Sequence, residues 1–299
     1  MTILSHPTLT EWLAYLNQMG KSTSTKRNYD RAVQHFIHWS EQSYGELFDP
    51  AAIIPRDVVD WQAFQQRIEK AKPATINLRL VGLSRYFKWA VARGYVRQDP
   101  TVDVASLRLD QRHPKALTDR QVRRLLRQVA KSENLRDMAL VELLLGTGLR
   151  VSEVLALQAE DVVLNSRSGE VIVRRGKGGI QRRIPLITSV RSALRQYLDS
   201  QPRLKPRDLL WVGERGPLQN RGSILYLLKK YMFQAGLDED LISPHVLRHT
   251  FASRYLRTHP GDLRGLAAIL GHSNLNTVLI YTEPTVEELA DKMEQAEVS

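Results

Sequence analysis

The chain has 299 residues, of which 42% are hydrophobic, so it is long enough for one large or two ordinary domains, and its lack of cysteine excludes disulfides, thiolate zinc sites and cysteine nucleophiles. Its 43 Lys and Arg against 32 Asp and Glu give a formal charge of +11, which favours nucleic acid as partner because each neutralised phosphate releases counterions. Neither a signal peptide nor a membrane-spanning apolar stretch is apparent in the sequence, so we expect a cytoplasmic protein without membrane contact.

The first 109 residues predict a four-helix domain. Thr8 to Met19 predicts the first helix, and Pro55 and Pro73 are suited to the first turn of the third and fourth, which ends before Gly94. The second helix follows from aromatic and aliphatic residues at helical spacing, namely Tyr29, Val33, Phe36 and Trp39.

Basic residues of this domain predict a face that contacts phosphates. The candidates are Lys21, Lys26, Arg27, Arg31, Arg79 and Arg85. For any single one, an ordinary solvated helix surface is the alternative explanation.

A charged segment around Pro114 predicts an exposed linker over residues 110–116. A helix start follows it, because Thr118 and Gln121 have the spacing of a capping box and Leu117 precedes them as a hydrophobic staple. The sequence therefore divides into domains over residues 1–109 and 117–299.

The second domain mixes helices with a small antiparallel sheet. "RDMALVELLLGTGLRVSEVLAL" predicts two helices separated by glycine, and "DVVLNSRSGEVIVRRGKGGIQRRIPL" alternates like strands joined by turns at Gly169 and Gly176–Gly179. "LLWV" is a candidate edge strand. Further helices are predicted over the ranges Thr188–Ser200, Arg221–Ala235, Pro244–Thr258, Asp262–Leu270 and Val286–Gln295. The predicted fold class is mainly α with a small antiparallel β-sheet.

Common catalytic motifs are missing. His245 and His249 have the spacing of zinc-peptidase ligands, but Val246 replaces the catalytic glutamate and Arg248 would repel a metal. "RRGKGG" has neither the spacing nor the hydroxyl residue of a nucleotide-binding loop. We therefore expect no metal and no cofactor.

A scattered set of cationic, imidazole and phenol side chains remains: Arg150, Lys177, His245, Arg248, His272 and Tyr281. Individually, these residues have ordinary explanations. Arg150 has the spacing of an ion-pair partner of Glu153, Lys177 is in a turn, His272 follows a helix end, and Tyr281 is a candidate core aromatic.

Their order and surroundings give a more specific interpretation. "TGLRVSE", "GKGGIQRRIPL", "SPHVLRHTFA" and "LGHSNLNTVLIYT" resemble, in this order, the active-site boxes of the tyrosine recombinase (phage integrase) family, and the length is similar to that of its Xer-type members. The resemblance implies an N-terminal SAM-like core-binding domain and a mixed α+β catalytic domain. It further implies site-specific recombination through a 3′-phosphotyrosyl intermediate and a Holliday junction, without metal or ATP.

The resemblance also assigns roles. Arg150 and Arg248 would bind the non-bridging oxygens of the phosphate, a role that suits guanidinium because it stays charged and binds bidentately. Tyr281 would be the nucleophile, and Lys177 the general acid for the departing 5′ oxygen. The two histidines divide the remaining proton transfers, with His245 as the proton acceptor for the phenol and His272 as a donor to the phosphoryl oxygen.

Other residues and partners follow from the same resemblance. Glu153 and His249 would orient the arginines, although a plain salt bridge and a satisfied core histidine remain equal alternatives. Around the lysine turn, Arg175, Arg182 and Arg183 would contact DNA. The expected partner is double-stranded DNA with one short inverted-repeat core site, because the chain begins directly in the helical domain. A tetramer, or an assembly with a paralogous subunit, would act on two sites.

Two further activities stay open at the level of sequence. A topoisomerase-like enzyme would nick and reseal single duplexes by the same chemistry. A catalytically silent DNA-binding regulator would keep the fold, but it would not need Tyr281.

Overall fold

A computed structural model describes residues 6–109, 115–174, 181–213, 216–238, 241, 243–271, 276–279, 281 and 293–294. The chain divides into two compact units, Met1–Gln111 and Arg112–Ser299. The predicted fold class is confirmed, because helices dominate both units and the strands form small antiparallel sheets in the second. Within the described ranges, no helix is long and apolar enough to cross a bilayer.

The first unit contains the four predicted helices: α1 (Pro7–Gln18), α2 (Thr23–Tyr44), α3 (Pro55–Arg67) and α4 (Pro73–Ala92). Proline occupies the first turn of α1, α3 and α4, where its fixed φ suits the helix and its missing N–H leaves no donor unsatisfied. The side chain of Ser22 caps α2 by accepting a hydrogen bond from the amide of Thr25 at 3.2 Å.

Aromatic side chains fill the core of this unit. The ring of Phe36 lies 5.2 Å from Trp61 and 6.2 Å from Phe87, with planes close to perpendicular in both pairs. Edge-to-face contacts of this kind add to the stabilisation from burial alone. Of the predicted basic residues, Arg27 and Arg31 on α2 and Arg85 on α4 are exposed, Lys26 and Arg79 are partly buried, and Lys21 lies exposed between α1 and α2.

The second unit contains the remaining elements. Its helices are α5 (Asp119–Lys131), α6 (Leu135–Thr147), α7 (Val151–Leu155), α8 (Thr188–Asp199), α9 (Arg221–Gln234), α10 (Pro244–Thr258), α11 (Leu263–Leu270) and α12 (Asn276–Leu279). Its strands are β1 (Val162–Leu164), β2 (Gly169–Val173), β3 (Arg182–Pro185), β4 (Val212–Gly213) and β5 (Gly216–Pro217). The predicted helix Val286–Gln295 lies outside the described residues except for positions 293 and 294.

The helix start predicted at Thr118 is present. Its hydroxyl accepts from the amide of Gln121 at 3.3 Å, and the Gln121 side chain accepts from the amide of Thr118 at 2.8 Å. This reciprocal pair satisfies two amide groups that have no partner inside α5.

Strands β1, β2 and β3 form one antiparallel sheet, in which Val171 pairs with Val162 on one side and Ile184 on the other. Gly169, expected in a turn, is instead the first residue of β2. The predicted strand "LLWV" contributes only Val212 to a separate two-stranded ladder of β4 and β5.

The reason lies in Trp211, which is fully buried. Its indole N–H donates to the carbonyl of Val154 at 2.8 Å, and its ring stacks on Tyr197 at 5.5 Å. The segment is held by this side chain in the core rather than by pairing with the main sheet.

Helix α6 crosses the centre of the second unit. Its residues are buried on nearly all sides, as expected for a helix surrounded by others. Helices α10 and α11 add a smaller apolar cluster that includes Leu256, Leu266, Leu270 and Val278, with Tyr281 packed against it. The C-terminal ends of α6 and α11 and the N-terminal turns of α7 and α10 meet next to this cluster.

Candidate active site

Arg248 is the buried centre of the candidate site. It lies in the second turn of α10 and is only 5% exposed. Its Nη1 donates to the carbonyl oxygen of Gly148 at 2.7 Å, and its Nη2 donates to the carbonyl oxygen of Leu270 at 2.9 Å. Burial and the charge of Arg150 lower the pKa of Arg248 to about 10, so the guanidinium remains protonated at neutral pH.

Arg150 converges on the same acceptor. It is the residue that precedes α7, and its Nη1 donates to the Leu270 carbonyl at 3.2 Å and to Glu153 at 3.1 Å. The Leu270 carbonyl belongs to the last turn of α11, the negative end of the helix dipole. Two guanidiniums are thus held side by side by one backbone oxygen.

Two glycines permit this close approach. Gly148 ends α6 in the left-handed conformation, and a Cβ there would lie 2.6 Å from the Phe251 ring. Gly271 ends α11 in the same conformation, and a Cβ there would lie 2.7 Å from a guanidinium nitrogen of Arg182. Any other residue at either position would combine backbone strain with a steric clash.

Glu153 joins Arg150 to a third guanidinium. Both of its oxygens accept from Arg182, at 3.1 and 2.9 Å, and one also accepts from the amide of Arg150 at 2.9 Å. Burial alone would raise the pKa of Glu153, but hydrogen bonds from Arg182 and from the Arg150 amide leave that pKa below its ordinary value. Glu153 is therefore a buried carboxylate held ionised between cations.

Arg182 was predicted to contact DNA, but the structure shows it in a different setting. Its side chain is 11% exposed, and its Nε donates to the carbonyl of Ile269 at 2.9 Å in addition to the Glu153 contacts. This arginine connects β3 to α7 and to the end of α11. Its hydrogen bonds orient other residues of the site, and they already use all three guanidinium nitrogens that could otherwise contact a phosphate.

Tyr281 lies beside the buried arginine, and its hydroxyl is 2.8 Å from Nδ1 of His249. Burial raises the pKa of the Tyr281 phenol, whereas the charges of Arg248 and Arg150 and a hydrogen bond from Arg248 lower it. Within the described residues, the imidazole that contacts the Tyr281 phenol is therefore that of His249. His245, the predicted proton acceptor, lies one turn earlier on α10.

His245 occupies a different position. It is exposed and borders a cavity of about 300 Å³ whose lining also includes Arg150, Arg248, Arg221 and Ser243. Desolvation by the surrounding protein, followed by the charges of Arg248, Arg221 and Arg150, lowers the pKa of His245. The cavity therefore presents three arginines and one histidine, a composition that suits an anion.

Arg221 was not selected from the sequence. It begins α9, directly after the capping residue Asn220, and its charge reaches His245 across the cavity. A basic residue immediately after a helix cap was an available signal, but many arginines of this chain sit at helix ends.

Three predicted residues, Lys177, His272 and Arg175, lie outside the described residues. Of the predicted DNA contacts, Arg79 donates to Glu69 and Gln65, Arg183 donates to Glu170, and Lys26 donates to Asn17. The side chains of Lys21, Arg27, Arg31 and Arg85 are exposed on the first unit.

Comparison with known proteins identifies the class. Residues 115–288 match the phage integrase family, and residues 9–96 match the phage integrase N-terminal SAM-like domain. The chain therefore belongs to the phage integrase family.

Individual relatives narrow the class of protein further. The chain is 35% identical over 276 residues to the tyrosine recombinase XerD of Ralstonia nicotianae, covering 90% of this chain and 87% of that protein. It is 36% identical over 279 residues to XerD of Yersinia pestis, covering 91% and 90%. A structure of XerH site-specific recombinase bound to its palindromic difH substrate superposes with a TM-score of 0.76 at 20% identity, covering 91% of this chain and 80% of that one. The protein is a Xer-like, tyrosine-type site-specific recombinase.

Proposed function

We propose that Tyr281 attacks a DNA phosphodiester and forms a 3′-phosphotyrosyl bond, with a free 5′ hydroxyl as the other product. The observation that carries this proposal is the convergence of Arg150 and Arg248 on one oxygen, at 3.2 and 2.9 Å, with Tyr281 hydrogen-bonded to Arg248. Phosphoryl transfer spreads negative charge over the non-bridging oxygens, and fixed cations placed around them stabilise the transition state.

The guanidiniums take the role that divalent ions have in other phosphoryl-transfer enzymes. Both border the cavity, and the planar fork of guanidinium N–H donors matches the geometry of phosphate oxygens. Binding of non-bridging oxygens there would require neither metal nor nucleotide. A cleavage rate unchanged by EDTA is the expected measurement.

The remaining roles complete the reaction. Lys177 would protonate the departing 5′ oxygen, and His272 would donate to a phosphoryl oxygen. His245, which borders the cavity, would contact the bound phosphate. Because the phosphoester is kept in the protein–DNA bond, a 5′ hydroxyl from a second duplex can reverse the step. Repetition on the second strand passes through a Holliday junction.

The DNA would carry a short inverted repeat bound by a tetramer or by an assembly with a paralogous subunit. Support for DNA as partner comes from the charge of +11 and from the exposed basic residues of the first unit, Lys21, Arg27, Arg31 and Arg85. Residues 110–116 would serve as the linker between the two units.

A suicide substrate tests the proposal. The protein is first used to select its binding site from a random pool of duplexes, and the selected duplex is then nicked beside each candidate phosphate. Wild type is expected to form a covalent adduct on denaturing gels, whereas Tyr281→Phe forms none.

Tyr255→Phe is the matched control. This tyrosine packs against the same small cluster but bonds to Asp262 through its hydroxyl, so its variant should still form the adduct. An adduct from Tyr281→Phe, or none from wild type, would contradict the proposal. Exchange of flanks between two plasmid sites distinguishes recombination from simple nicking and resealing.

A further inference from the structure

We propose that His249 is the proton acceptor for Tyr281 in strand cleavage, and that its basicity is raised by the bound phosphate itself. The inference rests on the proposed function, since it names the base that serves the same nucleophile. Its first support is geometric. The distance of 2.8 Å between Nδ1 of His249 and the phenolic oxygen lies within the reach of direct proton transfer.

The two rings are positioned to maintain this contact. Their centroids are 5.4 Å apart with planes inclined by 51°, and the tyrosine packs against the apolar cluster of α10 and α11. When the phenol donates, Nδ1 of His249 is the acceptor and the ring proton resides on Nε2. The imidazole is then neutral and ready to take a second proton.

His245 is less well placed for this task. Its ring centroid is 6.5 Å from that of His249, and its side chain borders the cavity with Arg150 and Arg248. The described lining of that cavity does not include Tyr281. His245 therefore faces the expected position of the phosphate, whereas His249 faces the nucleophile.

The charges around His249 explain why a bound phosphate would raise the basicity of its imidazole. Among the residues that the structure describes, the charged and titratable groups near the His249 ring are His245 and Arg248 from α10 itself and the phenol of Tyr281. Burial, followed by the charges of His245 and Arg248, lowers the pKa of His249 to about 4. A phosphodiester bound to the arginines would offset their field, since its negative charge favours a nearby imidazolium.

The proton balance is complete in both directions. In cleavage the Tyr281 oxygen bonds to phosphorus, the bond from phosphorus to the 5′ oxygen breaks, and the phenolic proton moves to Nδ1 of His249. The departing oxygen takes its proton from the proposed acid, Lys177. In rejoining, a 5′ hydroxyl attacks phosphorus and gives its proton to the neutral amine of Lys177, the bond from phosphorus to the Tyr281 oxygen breaks, and the imidazolium of His249 returns its proton to the phenolate.

The test uses the full-length protein in single-turnover cleavage of the selected suicide duplex. His249→Asn keeps a hydrogen-bonding group near the Nδ1 position but cannot accept the proton, and His249→Ala removes both functions. Both variants are expected to form the adduct about 10²- to 10⁴-fold more slowly. In wild type the cleavage rate should fall as the pH is lowered, because the base becomes protonated. The cleavage rates of both variants should not show this fall.

A second substrate separates the nucleophile from the leaving group. A duplex with sulfur in place of the 5′ bridging oxygen needs little protonation of its leaving group. If His249 acts on the nucleophile, its loss should lower the cleavage rate of this duplex by the same factor as that of the normal duplex. His259→Asn makes the same substitution at the exposed end of α10 and should match wild type on both duplexes. Binding in gel shifts and thermal unfolding confirm that each variant is folded.

The outcomes are distinct from failure of the proposed function. If wild type forms the adduct and His249→Asn does so at a similar rate, the hydrogen bond only positions Tyr281 and the base assignment is wrong. If the sulfur duplex restores the rate of His249→Asn, the residue acts on the leaving group and the assignment is also wrong. A missing wild-type adduct would instead contradict the role of Tyr281.

Discussion

Each unit contains a glutamate that accepts hydrogen bonds from two basic side chains, and the two arrangements differ in burial. In the first unit, Glu69 accepts from His35 and from Arg79, both at 2.8 Å, and its side chain is 31% exposed. In the second, Glu153 accepts from Arg150 at 3.1 Å and from Arg182 at 2.9 Å, and its side chain is 5% exposed.

The difference indicates what each arrangement is for. The two side chains that donate to Glu69 are engaged within the unit, because His35 also accepts from the Trp61 indole and Arg79 also donates to Gln65. Around Glu153, Arg182 is engaged in the same way, but Arg150 still borders the cavity. A buried carboxylate held by one arginine can thus keep a second arginine in place for a ligand.

The largest expected effect comes from the guanidiniums themselves. Arg248→Lys should lower the single-turnover rate of adduct formation by about 10³-fold, since one ammonium cannot reproduce two separately directed donors. Arg79→Lys makes the same change in the first unit and should leave that rate unchanged at saturating DNA. Equal losses in the two variants would mean that the comparison between the units is wrong.

The next effect is on stability. Glu153→Gln leaves Arg150 and Arg182 without a buried counter-charge and should lower the free energy of unfolding by about 3 kcal/mol. Glu69→Gln removes a partly exposed partner and should lower it by less than about 1 kcal/mol. Calorimetric unfolding of both variants measures the difference, and a larger loss for Glu69→Gln would contradict this ranking.

A smaller effect follows from pH. The pKa of Glu153 is lowered in the folded protein, so its ion pairs stabilise fully above the unfolded glutamate value and lose that contribution as the pH falls through the folded value. The stability gap between wild type and Glu153→Gln should therefore be widest near pH 7 and close towards pH 3. A gap that widens on acidification would contradict the assignment.

The smallest effect distinguishes two neighbouring arginines. Arg183 is 64% exposed and pairs with Glu170, whereas Arg182 is largely buried. If Arg183 contacts a phosphate, Arg183→Gln should reduce the slope of log binding constant against log salt by about one. Arg182→Gln should slow cleavage without changing that slope. The slope is measured by binding titrations at several salt concentrations.

Local features of the fold were predictable because their causes are local. Proline at a first turn depends on that residue alone, and the capping box of Thr118 and Gln121 and the pairing of Arg150 with Glu153 each depend on residues three positions apart. The edge strand predicted at "LLWV" is present only in part: Val212 lies in β4 and Leu209 forms an isolated antiparallel bridge with Gln158, while Trp211 between them is buried in the core.

Contacts of the site over long sequence separations were not predictable. Arg182 is 29 residues from Glu153, and His249 is 32 residues from Tyr281. Nothing in the spacing of His245 and His249 indicates which imidazole meets the phenol, because both lie on one face of α10 and the tyrosine arrives from another segment. The DNA contacts and the roles of Lys177 and His272 stay predictions.

The shared acceptor at Leu270 makes the two arginines mechanically dependent on each other. A shift of the last turn of α11 by one ångström would lengthen or shorten two N–H···O bonds at once, and hydrogen bonds of this type weaken steeply outside a narrow range of distance and angle. Any contact that displaces α11 would therefore change the positions of the Arg150 and Arg248 guanidiniums together.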